Sequence, residues 1–200
     1  MLFIGGLSGL SGLSGLSGIA GGGSGGGVPP GSPPNAAINI GISYDIGTAT
    51  HTLSWDDGGG DAFGWHIFKD AELTPFYTAG GTSHDFDGEP GSTYYVVAYN
   101  DFGESAASDT VEAKEEPTQP QNLILTDVGG GDYDVTWSVP ASDGADAITE
   151  YKVYVNAVEV TTTTPPTTVV TIALSPGDEV YITAVNTLGE SAPSATEIAS

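Results

Sequence analysis

The chain has 200 residues, 26 Asp+Glu against 3 Lys+Arg, a formal net charge of −23 and no cysteine. Its cations are Lys69, Lys114 and Lys152. Too few cations remain to neutralise a nucleic-acid backbone or to hold an anionic bilayer surface, so both partners are all but excluded. The lack of thiols removes disulfide frameworks and thiolate metal sites.

The first element is a period-three stretch. Gly6, Gly9, Gly12, Gly15, Gly18 and Gly21 recur, each of Leu7, Leu10, Leu13, Leu16 and Ile19 follows a glycine, and Ser8, Ser11, Ser14 and Ser17 fill the third slot. Glycine loses the most backbone entropy on ordering, and no local core offsets that cost here. Met1-Leu2-Phe3-Ile4 has no basic region before it, which argues against a secretory signal. Glycine and serine dilute the stretch too heavily for a membrane span. Gly21–Gly27 is a flexible tract, and Val28-Pro29-Pro30-Gly31-Ser32-Pro33-Pro34 stiffens the chain toward polyproline II.

Residues 35–115 predict strands. Ile38, Ile40, Ile42 and Tyr44 alternate with small or polar residues; so do His51, Leu53 and Trp55, then Phe63, Trp65 and Ile67, then Tyr94, Val96 and Ala98. Period two is the mark of a half-buried strand. Asp57-Gly58-Gly59-Gly60-Asp61, Gly80-Gly81 and Asp87-Gly88 supply turns. Residues 116–200 repeat the plan with Leu123 and Leu125, Val135 and Trp137, Tyr151, Val153 and Val155, then Val169, Thr171 and Ala173 or their neighbours, and finally Val180, Ile182 and Ala184.

The halves align. Ala98-Tyr99-Asn100-Asp101-Phe102-Gly103-Glu104-Ser105-Ala106 matches Ala184-Val185-Asn186-Thr187-Leu188-Gly189-Glu190-Ser191-Ala192, and Pro90-Gly91 matches Pro176-Gly177. Trp55 matches Trp137, and Trp65 stands where Tyr151 does. A duplicated module explains this.

Leu174-Ser175-Pro176-Gly177, Ala184-Val185-Asn186, Gly189-Glu190-Ser191 and Pro120-Gln121-Asn122-Leu123 resemble the fibronectin type III family. The resemblance implies an all-β chain: a Gly-rich extended arm with its linker at 1–34, one sandwich at 35–115 and a second at 116–200. It places Trp55, Trp65, Trp137 and Tyr151 in the cores. The family's corner tyrosine falls at Tyr94 in the first module, whereas the second has Val180. No Arg-Gly-Asp occurs.

His51, His66 and His84 lack metal-ligand spacing, and no Gly-x-Ser-x-Gly marks a nucleophile. The expectation is therefore a non-enzyme without a cofactor. Asp57, Asp61, Asp127 and Asp132 sit in Asp/Gly loops that are weak calcium candidates, although such loops are also ordinary hairpin chemistry. Tyr95, Tyr99 and Phe102 are the aromatics expected to face outward.

The arm is the strongest functional lead. Leu2, Phe3, Ile4, Leu7, Leu10, Leu13, Leu16 and Ile19 form an apolar series suited to a partner's groove or to bundling with copies of the chain through residues 1–27; a trimer is favoured. The expected role is a virion accessory protein of a tailed virus: capsid decoration, head fibre or tail-fibre component. It would lie at the virion surface, held by other virion proteins or by itself, with its modules offered to host-surface glycans. The alternative is a secreted or cell-surface adhesion module of a bacterium or archaeon.

Overall fold

The computed structural model describes residues 31–200. The arm residues Leu2, Phe3, Ile4, Leu7, Leu10, Leu13, Leu16 and Ile19 lie outside the described residues.

The first half contains β1 (Ile38–Asp45), β2 (Thr50–Asp56), β3 (Gly64–Lys69), β4 (Tyr77–Ala79), β5 (Ser83–Phe86), β6 (Thr93–Asn100), β7 (Gly103–Glu104) and β8 (Val111–Glu112). One antiparallel sheet runs β1-β2-β5; the other runs β4-β3-β6-β7, with β8 also on β6. The second half contains β9 (Gln121–Gly129), β10 (Asp132–Ser138), β11 (Glu150–Val155), β12 (Val158–Thr163), β13 (Val169–Ala173), β14 (Glu179–Val185) and β15 (Glu197–Ile198). Its sheets run β13-β10-β9 and β12-β11-β14-β15, the same plan. No helix among the described residues is long and apolar enough to cross a membrane.

Alternation decides which side chains meet between the sheets. Leu53, Ile67, Val96 and Ala98 are fully buried in the first core; Val135, Val153, Ile182 and Ala184 take the aligned places in the second. Each buried aliphatic side chain of Val or Leu size contributes roughly 1.5–3 kcal/mol. Trp55 and Trp65 pack with ring centroids 6.0 Å apart, and Trp137 meets Tyr151 edge-on at 5.5 Å. All four are buried. The hydroxyl of Tyr94 accepts a bond from the Glu89 amide (3.3 Å), whereas Val180 fills that place with hydrocarbon alone.

Two expectations of inward alternation fail. The β1–β2 register slips between Ile38 and Gly41, where Asn39 has φ 51, and this bulge leaves Ile38 exposed. Phe63 precedes β3 and is 60% exposed, so that strand's inward set starts at Trp65. In β13, where the sequence left two sets open, the neighbours Val170 and Ile172 face in and Val169 faces out.

Candidate functional site

The repeated Asn-x-x-Gly-Glu-Ser turn ties each sandwich to the chain entering it. Oδ1 of Asn186 accepts from the Leu188 (2.9 Å) and Gly189 (3.1 Å) amides. Its Nδ2 donates to the Glu115 (2.6 Å) and Asp143 (3.0 Å) carbonyls. Asn100 does the same in the first half, closing its own turn through Phe102 N–H and donating to the Ser32 carbonyl at 2.9 Å. Ser105 and Ser191 accept from the Ala98 and Ala184 amides, which satisfies strand ends the ladder leaves unpaired.

The junction between the halves is built on this seat. Glu115 N–H donates to Gly144 O at 2.9 Å, and Lys114 Nζ lies 3.3 Å from Asp146. His51, 1% exposed, is buried at the linker end of the first sandwich. The Gly88 amide donates to its Nδ1 (3.2 Å), so the ring proton sits on Nε2 and donates to the Lys114 carbonyl (3.0 Å). This role of a buried histidine was not legible in the sequence, because its acceptor is 63 residues away.

Two carboxyls at the junction shift in opposite directions. The Thr187 hydroxyl (2.6 Å) and amide (3.0 Å), aided by Lys114, hold Asp146 below the usual carboxylate range. Burial pushes Glu115 up, reinforced by Glu116 and Asp87. A lowered folded pKa contributes stability that is present above the unfolded value and lost as pH falls through the folded one. Asp146 therefore tightens the junction at neutral pH and releases it in acid. Ionising Glu115 opposes folding, and that cost appears as pH rises through its ordinary range. We expect the junction to loosen on strong acidification. Small-angle scattering against pH should show the change, and Asp146→Asn should flatten the acid limb; an unchanged limb would refute the assignment.

Two of the four calcium candidates use their carboxylates to close turns. Asp57 accepts from the Gly59 amide (2.8 Å) and Asp127 from the Gly129 amide (2.7 Å), closing their own turns. Asp61 has φ 50, and Asp132 pairs with Gly129 and Ala173 at the start of β10. Among the described residues no three His, Cys, Asp or Glu side chains are grouped to hold a metal ion.

The outer face of the β3–β6 sheet is aromatic. His66 stacks on Tyr99 (4.4 Å, 12°) and Phe68 on Tyr95 (5.0 Å, 7°). Val97, paired with His66 across the strands, lies buried in the bed between them. Thr78 Oγ1 is 3.0 Å from His66 Nδ1, while Glu104 Oε1 is 3.7 Å from Nε2, too long for a hydrogen bond. Glu104 and His66 are therefore neighbours on the sheet surface with no direct hydrogen bond between them, which rules out a proton relay through this row. Phe102 stands exposed on the adjoining turn, beside a cavity of about 440 Å³ lined by Ser32, Asp61, Phe63 and Asn100.

Residues 118–199 match the family model described as "Fibronectin type III domain". Among solved structures, the chain is similar to a two-domain fibronectin type III segment of chicken tenascin, at 18% identity and a TM-score of 0.43, over 82% of this chain and 98% of that one. It is also similar to the FN1–FN3 domains of chicken CNTN1, at 18% identity and a TM-score of 0.38, over 84% of this chain and 67% of that one. The family match thus covers residues 118–199, the span of the second sandwich.

Proposed function

We infer that the chain is a non-enzymatic structural accessory protein of a tailed virus, a capsid decoration, head fibre or tail-fibre component that displays acidic β-sandwiches on the virion surface. The observation that carries this reading is the arm. An uncharged repeat with leucine or isoleucine at every third position from Leu7 to Ile19 has no core of its own and gains stability only from a partner's groove or from copies of itself. The modules it would carry are tied end to end by the junction contacts, as suits a projecting spacer. A fibronectin type III domain at 118–199 fits an adhesion or accessory module.

Light scattering on the full chain and on a chain starting at Asn35 tests it. The full chain is expected to be a trimer or larger and the shortened one a monomer. Monomers in both cases assign the arm to a foreign partner. The same oligomer in both would overturn the role of the arm. The second reading, a secreted or cell-surface adhesion module, is favoured by the domain family itself, whose members typically occur in extracellular or cell-surface proteins.

A further inference from the structure

The two sandwiches hold one carboxylate in two different settings. Glu190 and Glu104 are equivalent in register: Val185 bridges to Glu190, and Tyr99 pairs with Glu104. Around Glu190 the chain supplies every donor. Lys152 Nζ lies 2.8 Å from Oε2, and Tyr154 OH (2.8 Å) and Thr183 Oγ1 (2.7 Å) both donate to Oε1. Glu159 adds a second carboxylate 3.9 Å from the ammonium. Burial pushes Glu190 up, but the bonds from Lys152, Thr183 and Tyr154 outweigh it and hold the carboxyl below its usual range.

In the first sandwich the paired strands place His66 where Lys152 stands, Phe68 where Tyr154 stands and Val97 where Thr183 stands. Two of the three donors have become hydrocarbon. The third is an imidazole 3.7 Å away. The first sandwich adds a ring stack beside the acid, His66 on Tyr99, while the Phe68–Tyr95 stack beyond it has its counterpart in Tyr154–Tyr181 of the second. Glu104 is 59% exposed and His66 23% exposed, so an incoming group can reach both.

We propose that this outer face of β3–β6, centred on Glu104 with His66, Tyr99 and Tyr95, binds a cationic side chain, arginine or lysine, presented by a partner protein. The second sandwich shows what the arrangement accepts, since there the chain's own lysine ammonium occupies it. Ring faces carry negative electrostatic potential and attract a cation within about 6 Å of the centroid, and a carboxylate beside them adds a charge-assisted bond. A formal charge of −23 raises the local concentration of basic partners and repels acidic ones. A neutral ligand would meet the same rings and gain nothing from that field. The site does not depend on what the arm holds.

The probe is N-acetyl-arginine amide, titrated into the full chain at physiological salt, with the ring signals of His66, Tyr95 and Tyr99 followed by NMR. Saturable shifts confined to these rings are expected. Glu104→Gln should weaken binding about tenfold, in line with losing a charge-assisted contact. The triple change His66→Lys, Phe68→Tyr and Val97→Thr, which rebuilds the arrangement of the second sandwich, should abolish it. The reverse change, Lys152→His with Tyr154→Phe, Thr183→Val and Val185→Tyr, the last supplying the ring that Tyr99 provides in the first sandwich, should create a second site at Glu190. Shifts scattered over the acidic loops and indifferent to Glu104→Gln would overturn the proposal, as would the absence of saturable shifts in the unaltered chain.

Discussion

Trp137→Ala is expected to destabilise the second sandwich strongly while leaving the stability of the first unchanged. Trp137 is buried against Tyr151, and truncating a buried tryptophan costs about 3–5 kcal/mol. That is a large share of the roughly 5–15 kcal/mol by which a domain is stable. The two cores share no residue: one draws on Ala37 to Ala113, the other on Leu123 to Ala199. Urea denaturation followed by near-ultraviolet circular dichroism should therefore split into two transitions, the lower belonging to the second half. Trp55→Ala should move the other one. A single transition shifted equally by both substitutions would mean that the halves fold as one unit.

Gly144→Ala is expected to release the linker from its seat. Gly144 has φ +76, a conformation costly to residues with a Cβ. A methyl group there would also overlap the Glu115 carbonyl oxygen and lie 2.9 Å from that of Glu116. The backbone must shift, and the Glu115–Gly144 bond and the double donation from Asn186 shift with it. We expect a loss of about 1–3 kcal/mol, the range for strained backbone, together with a broader spread of angles between the halves in small-angle scattering. Gly130→Ala is the control: its φ is +74, but nothing lies within 4 Å of the added carbon. It should show the strain without the change in shape. Equal effects of the two substitutions would deny the linker seat its role.

Much of the candidate site was half legible. The aligned Glu104 and Glu190 are visible in the sequence, and Tyr95 and Tyr99 were expected to face outward. What separates the two acids was not visible. The donors to Glu190 come from positions 152, 154 and 183, on two different strands, and only their pairing brings three hydroxyl or ammonium groups to one oxygen pair. His51 was legible as a strand residue but not as the group that fastens the linker.

By itself the sequence determined the all-β character, the duplicated plan and the inward set Leu53, Trp55, Ile67, Val96 and their partners. Period two along a strand is a local property, and burial follows it wherever the register runs without a slip. It also argued against nucleic-acid and anionic membrane partners, because net charge is additive and needs no coordinates. Tertiary structure alone decided the bulge that turns Ile38 outward, the exposure of Phe63, the junction around Asn186 and Gly144, and the different fates of the two glutamates. Each of these depends on contacts between residues distant in the chain, where a shift of one residue in pairing or a single side-chain exchange on a neighbouring strand changes which groups meet.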